Sequence, residues 1–436
     1  MHHIEIPTKF KRKDVRKVVR TLGAYARPAE QKQALQMLAA LCLSGSGLSG
    51  EGIASWRAAI SEAGAIPVLV PLPTRAPTAQ DATTQCHVSG LNSVTVETES
   101  RGAASVALSS EAPVANQMQH NATVVLSCLA EILANVAVLV AAGVIPHMVP
   151  LLRPGAASDA VQLMVVETLN ILGQIPGCAI SIVAAGAVPH LVRLLTPASP
   201  SAENIQAVAA AVLLHLAHYA DSAMATVAAG AIPPLVQMLR PGALPEVQDQ
   251  SIAFLGHLLE ELPPTAVCVS AAGGIPLLVL VLRPSTLPDV RFNATYSLSR
   301  IALFPNYAYT IASTRAVPAL VQMLGRSDSG LQTIAAELLV NLACMARSAG
   351  VAPAILAAGG VPPLVQLLRP GCSVIEHFHA AIALTNIADS ASNKDTIKAA
   401  GAVPLLEQLL AEPGANVGVV RAASELLEPL NTFFRF

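Results

Sequence analysis

Apolar residues along this chain fall into blocks that recur with a period of about 43 residues. Each block opens with a short Ala-rich stretch, passes through Gly-x-x-Pro and enters a run of Leu and Val, as in residues 184–195, A-A-G-A-V-P-H-L-V-R-L-L. In one block Arg315 replaces the Gly. The eight prolines are Pro67, Pro146, Pro189, Pro233, Pro276, Pro318, Pro362 and Pro404. A fixed period of this length predicts a helical solenoid in which each unit packs on its neighbours.

The Gly-x-x-Pro segment predicts a sharp turn between two helices. Gly can take the left-handed conformation that ends the first helix. Pro has a φ suited to the first turn of the next helix and has no N–H to leave unpaired there. A third, amphipathic stretch follows in each unit. These third helices are predicted at 121–134, 159–173, 203–218, 246–260, 289–303, 329–345, 375–388 and 416–430.

The period is interrupted once, because Pro67 and Pro146 are almost two periods apart. The extra residues, 73–118, are rich in Thr, Ser, Ala and Gln and predict a flexible insertion between a second and a third helix. A degenerate repeat is the alternative. We therefore expect a basic segment at 1–22, a solenoid at 23–430 that contains the insertion, and a tail at 431–436.

The N-terminal segment predicts a helix with two unlike faces. Val15, Val18, Val19 and Leu22 form one apolar stripe. One interpretation is a capping helix whose charged face lies in water. The other is a basic signal or phosphate-binding segment. The cations are Lys11, Arg12, Lys13, Arg16, Lys17 and Arg20.

Composition narrows the class of protein. Hydrophobic content is 53% and mean hydropathy is +0.55, yet no apolar run reaches the roughly 18 to 20 residues of a membrane span. A net charge of −2 favours no nucleic-acid partner. The 7 Cys are dispersed without a C-x-x-C pair, which predicts reduced, buried thiols. With no signal-peptide stretch at the N-terminus, this favours a cytoplasmic or nuclear location, or both.

Three helices per unit, with Gly-x-x-Pro before the second helix, resemble the armadillo repeat over about residues 30–430. The resemblance implies an all-α fold, a right-handed α-α superhelix of about eight three-helix units with an N-terminal capping helix. It also implies that the third helices line a concave groove that binds extended peptide segments of other proteins.

The resemblance also suggests binding residues. In importin-α and β-catenin an Asn on the third helix hydrogen-bonds the peptide backbone, and its amide offers both a donor and an acceptor. Matching positions here carry three Asn, two His and one Arg. Four residues earlier, where importin-α has Trp, this chain has Tyr or Glu in two units. The candidate groove residues are Asn170, His215, His257, Tyr296, Arg300, Glu337, Asn341 and Asn386.

These features predict a non-catalytic scaffold or adaptor for other proteins. No phosphate-binding loop or nucleophile elbow occurs, and His215 with His218 lacks the further ligands of a zinc site. We expect no catalytic residue, metal or cofactor. The missing Trp favours a scaffold over the first alternative, an import adaptor of the importin-α type. The second alternative is a self-assembling or cytoskeleton-associated protein, suggested by Phe433, Phe434 and Phe436 in the tail.

Overall fold

The computed structural model describes residues 11–23, 27–44, 53–74, 116–196, 203–326, 329–345, 350–412 and 414–431. All regular structure in these ranges is helical. Helices Arg12–Arg20 and Pro28–Ser44 come first. Eight three-helix units follow within the described ranges, and we number them repeats 1 to 8 in chain order. The all-helical solenoid expected from the period is confirmed.

Each repeat has a first, a second and a third helix. The first helices are Ile53–Glu62, Leu133–Ala141, Pro176–Ala184, Ala220–Ala228, Thr265–Ala271, Pro305–Ala312, Val351–Ala357 and Ala391–Ala399. The second helices are Ile66–Leu69, Val144–Met148, Ala187–Leu194, Ile232–Gln237, Gly274–Val281, Ala316–Arg326, Val361–Gln366 and Ala402–Ala411. The third helices are 116–130, Asp159–Gly173, Glu203–Ala217, Pro245–Glu261, Pro288–Ile301, Ser329–Met345, Val374–Ile387 and Val417–Asn431.

The turn between the first and second helices has the expected left-handed Gly. Gly143 has φ 78° and Gly186 has φ 76°, and each is the N-cap of the second helix that follows. The first and second helices meet there at angles of 72° in repeat 2 and 89° in repeat 3. The same positive φ occurs at Gly64, Gly230, Gly273, Gly359 and Gly401.

Repeats 1 and 2 each have a short second helix followed by a 3-10 turn, which in repeat 2 is Val149–Leu152. Ile66–Leu69 is only 4 residues long and is followed by a 3-10 turn, Leu72–Thr74, because Pro71 and Pro73 cannot donate backbone hydrogen bonds. Both ends of the expected insertion are helical: residues 73–74 belong to the 3-10 turn and 116–118 to the third helix. Residues 75–115 lie outside the described ranges. The third helix ends at 130 rather than 134, because Ile132 is extended and Leu133 opens the next helix.

The chain forms two compact units, which we call the N-terminal half, Met1–Ser222, and the C-terminal half, Ala223–Phe436. In the N-terminal half the third helices of repeats 2 and 3 pack on each other. In the C-terminal half each third helix from repeat 4 to repeat 8 packs on the next. Fully buried leucines fill these contacts, among them Leu255, Leu298, Leu339 and Leu384.

A polar side chain near the start of the third helix satisfies the carbonyl end of the second helix. In repeat 3, Gln206 Nε2 donates to Leu195 O at 2.8 Å, and in repeat 6 Gln332 Nε2 donates to Leu324 O at 2.9 Å. The last carbonyls of a helix have no partner inside the helix, so this bond joins two helices of one repeat. Equivalent bonds come from Gln162, Gln248 and His377.

Candidate functional site

The third helices of repeats 4 to 7, all in the C-terminal half, carry six of the candidate residues. Each of the six is half-buried, so part of every side chain remains open to solvent. We call this set the third-helix surface: His257, Tyr296, Arg300, Glu337, Asn341 and Asn386.

Arg300 and Glu337 form the centre of the third-helix surface. The Arg300 guanidinium is ion-paired with the Glu337 carboxylate, and the same carboxylate accepts a hydrogen bond from Ser299 Oγ at 2.7 Å. The Arg300 guanidinium carbon also lies 5.1 Å from the centre of the Tyr296 ring, a cation–π distance. Repeats 5 and 6 are thereby joined by the Arg300–Glu337 ion pair and by the Ser299 hydroxyl.

Tyr296 is fixed at both ends of its side chain. A Cβ placed on Gly256 would lie 3.3 Å from Tyr296 Cδ1, so the absence of a side chain at Gly256 gives the ring its place. Burial, together with a hydrogen bond to the Glu260 carboxylate, raises the pKa of Tyr296 to about 12. The phenol therefore stays neutral over the physiological range and donates to Glu260.

The side-chain amide of Asn341 donates hydrogen bonds through its nitrogen but accepts none through its oxygen among the described residues. Its Nδ2 donates to Ser299 Oγ at 2.9 Å and to Ser299 O at 3.3 Å. Within the described ranges no group donates to its carbonyl oxygen, Oδ1. The donor side of the amide is thus occupied by the neighbouring repeat, and the acceptor side accepts no bond from the described residues.

Asn386 occupies the matching place in repeat 7. Its Nδ2 donates to Ile382 O at 3.0 Å and contacts Cys344 Sγ of repeat 6 at 3.2 Å. His257 lies on the third helix of repeat 4 with its Nε2 atom buried. The structure thus brings Tyr296, Arg300, Glu337 and Asn341 into one connected cluster.

The N-terminal half holds the two remaining groove candidates. Asn170 lies half-buried on the third helix of repeat 2. Its Oδ1 atom is buried and has no hydrogen-bond partner among the described residues. His215 packs on the preceding repeat, since its Cβ would lie 3.7 Å from a Cβ added at Gly173. Burial, with a smaller effect of His218, lowers the pKa of His215. A neutral imidazole is therefore favoured there.

The basic helix Arg12–Arg20 is part of the packed fold. Val15, Val19 and Leu22 are buried, and the helix contacts Pro28–Ser44 and Ile53–Glu62. Three of the four residues of the expected stripe therefore face the interior, and Val18 is half-buried. The cations whose side chains the structure describes are all exposed: Lys11, Lys13, Arg16, Lys17 and Arg20.

Comparison with known proteins identifies the repeat. The family described as Armadillo/beta-catenin-like repeat matches residues 176–218, which contain repeat 3. An engineered protein of known crystal structure covers 96% of this chain, is itself covered to 99%, and is 28% identical with a TM-score of 0.68.

The chain is an armadillo-repeat protein.

Two designed armadillo repeat proteins are also similar to this armadillo-repeat protein. One is 24% identical, with a TM-score of 0.48 over 56% of this chain and 100% of its own. The other, solved in complex with the peptide (KR)4, is 25% identical, with a TM-score of 0.48 over 56% of this chain and 99% of its own. No curated protein matches the chain. The armadillo fold is generally a non-enzymatic, protein-binding scaffold.

Two further residues that contact the third-helix surface were not predicted from the sequence. Ser299 bonds both Glu337 and Asn341, and Glu260 holds the Tyr296 phenol. The repeat period could have indicated Ser299, because Ser299 and Asn341 are 42 residues apart, which is one period. Polar residues separated by one period lie side by side on neighbouring third helices.

Other chemistry in the armadillo-repeat protein can be stated only for the described ranges. They contain no group of three or more His, Cys, Asp or Glu placed to hold a metal ion. No single helix in them is long and apolar enough to cross a membrane, although three helix pairs, each sharply bent, reach that length and composition together. The tail residues Phe433, Phe434 and Phe436 lie outside these ranges.

The expectation of buried thiols is only partly correct. Cys42, Cys128 and Cys178 are buried, whereas Cys268 and Cys344 are exposed. Cys268 lies on the short first helix of repeat 5, and Cys344 lies near the end of a third helix. Both are on solvent-facing positions of helices whose other faces form the core.

Proposed function

We propose that this armadillo-repeat protein is a non-catalytic adaptor that binds an extended segment of another protein on its third-helix surface. The observation that carries the proposal is Asn341, whose donor is held by Ser299 and whose Oδ1 accepts no bond from the described residues. An extended peptide offers a backbone N–H at every residue other than proline. Asn341 Oδ1 would accept one of these.

The proposal is supported by contacts that already hold the surrounding side chains in place in the chain without a ligand. Arg300, Glu337 and Tyr296 already bind one another, so little rotamer entropy remains to be lost on binding. Their exposed parts would contact the side chains of the peptide, while Asn341 and Asn386 contact its backbone. We propose the same backbone role for Asn170 in the N-terminal half, because it occupies the matching position on the third helix of repeat 2.

The first experiment selects linear peptides from a displayed random library on the full chain and measures the Kd of the best binder. We expect Asn341→Ala to weaken binding about 5-fold, which corresponds to about 1 kcal/mol for one hydrogen bond. Asn306→Ala is the matched control, since Asn306 is exposed on the first helix of repeat 6. The thermal unfolding midpoint of each variant shows that the folded fraction is unchanged at the assay temperature.

Two outcomes contradict the adaptor proposal: no peptide is enriched, or Asn341→Ala binds as tightly as the wild type and Asn306→Ala. The selected sequences also separate the adaptor from the import-adaptor alternative, for which the exposed cations of helix Arg12–Arg20 are the supporting observation. Enrichment of Lys- and Arg-rich clusters favours the import adaptor. As part of the same proposal, we expect a cytoplasmic or nuclear location.

A further inference from the structure

One side of the N-terminal helix Arg12–Arg20 consists of cations. Four Lys and Arg residues fall at i, i+3, i+4 and i+7, which places them on the same side of an α-helix. All four are exposed. Because an α-helix rises about 1.5 Å per residue, the row of cations is about 10 Å long. We call this set the basic face: Lys13, Arg16, Lys17 and Arg20.

The basic face is held in position by the opposite side of the same helix. Val15 and Val19 are 0% and 5% exposed, so that side of the helix is part of the core. Gln31, which is itself buried, donates from Nε2 to Gly23 O at 2.9 Å. This bond ties the end of the segment to the helix Pro28–Ser44. The cations are therefore presented by a helix that is fixed in the packed fold.

The basic face has no acidic partner among the residues that the structure describes. The carboxylate of this helix belongs to Asp14, whose Oδ2 accepts from Lys11 N at 2.8 Å and caps the helix. Like charges at i and i+4, such as Lys13 and Lys17, destabilise a helix, so an anionic ligand would relieve their repulsion. The ion pairs within the described ranges all lie elsewhere: Arg57–Glu131, Arg300–Glu337 and Arg421–Glu425.

The positive charge of the chain is concentrated at this helix. Residues 11–20 contain 6 of the 26 Lys and Arg but only 1 of the 28 Asp and Glu. The other residues include 20 basic and 27 acidic side chains. A large polyanion, such as a nucleic acid or an anionic membrane, would be attracted by the basic face but repelled by this acidic remainder. A short acidic ligand would contact the basic face alone.

The side chains of the basic face also favour an acidic peptide. Helices that bind membrane surfaces insert apolar side chains, and single-stranded nucleic acids stack on aromatic side chains. The basic face offers neither kind, because its four members are Lys and Arg. Lys and Arg form charge-assisted hydrogen bonds with carboxylates. An extended chain covers about 10 Å with about three residues, so a short run of Asp and Glu matches the length of the basic face.

We propose that the basic face is a docking surface for an acidic linear segment of another protein. Its residues are separate from those of the third-helix surface, so this contact does not depend on the peptide that Asn341 is proposed to bind. The protein would then hold one segment through charge at the basic face and another through backbone hydrogen bonds at the third-helix surface.

The test uses the full chain and a fluorescein-labelled peptide of six Glu, with a peptide of six Gln as its uncharged match. We expect fluorescence anisotropy to show binding of hexaglutamate and no binding of hexaglutamine. Binding should weaken as sodium chloride is added, because the Debye length falls from about 10 Å at 0.1 M to about 3 Å at 1 M. Asn341→Ala should bind hexaglutamate as tightly as the wild type, since the two surfaces are separate.

Charge-reversed variants locate the binding surface. Lys13→Glu combined with Lys17→Glu should weaken hexaglutamate binding about tenfold, because two attractive contacts become repulsive. Arg240→Glu combined with Arg283→Glu is the matched control, since it changes the net charge equally at two exposed residues of the C-terminal half. The control should bind hexaglutamate with nearly the wild-type Kd.

A second variant keeps the test decisive if the first fails to fold. Arg16→Gln combined with Arg20→Gln removes two charges without adding acids, and it should weaken binding several-fold. The proposal is overturned if hexaglutamate binds no better than hexaglutamine, or if the basic-face variants bind as tightly as the control. Tighter binding of a duplex oligonucleotide, or of vesicles that contain phosphatidylserine, at equal concentrations of negative charge would also overturn it.

Discussion

At the scale of single residues, the repeat period decides which side chains meet. Arg300 and Glu337 are 37 residues apart, and Ser299 and Asn341 are 42 apart. The candidate positions could be chosen from the sequence because each occupies the same place in its repeat. The hydrogen-bond partners of these residues could not be chosen in the same way. Whether Ser299 or Arg300 contacts Asn341 depends on how far the two helices are rotated about their axes relative to each other.

Tyr296 provides a prediction at this scale. Its pKa is about 12 in the folded chain against an ordinary value of 10.0, so the folded state keeps the phenolic proton longer than the unfolded state. The stabilisation is fully present below pH 10 and is lost as the pH rises to about 12. We expect the phenolate absorbance of the wild type minus that of Tyr296→Phe to titrate near pH 12. A midpoint near 10 would contradict the Glu260 contact.

At the scale of helices, the positions of glycine and proline predicted where the helices begin and end. Third helices expected at 246–260 and 289–303 occur at Pro245–Glu261 and Pro288–Ile301. The bond from Gln206 to the second helix was not foreseen, because a buried Gln is recognised only once its carbonyl partner is known. Nor did the sequence explain why repeats 5 and 7 have a second Gly in the turn.

The second Gly of these turns is needed for close packing. A Cβ on Gly360 would lie 2.5 Å from Ile355 Cγ2 and 2.9 Å from Val321 Cγ2, so Gly360→Ala should cost about 1–3 kcal/mol of unfolding free energy. Gly325 is the control, because a Cβ there meets nothing within 4 Å. Gly325→Ala should be neutral or stabilising by up to about 1 kcal/mol. Equal effects of the two changes in urea unfolding would argue against the close contact.

At the scale of the whole molecule, a chain of 436 residues avoids the limit on single cores because, within each half, the repeats pack on their neighbours. The period predicted this architecture and the number of repeats. It could not predict the ion pair of Arg57 and Glu131, because these residues are separated by the one stretch where the period fails. The same arrangement of neighbours presents third helices side by side, which the proposed function requires.

The most direct test of that function is where a bound peptide touches the protein. A selected peptide that carries a photoreactive residue is cross-linked to the full chain, and the adducts are mapped by mass spectrometry. We expect adducts on the third helices Pro288–Ile301, Ser329–Met345 and Val374–Ile387. Adducts concentrated on the first helices Pro305–Ala312 and Val351–Ala357 would contradict the account.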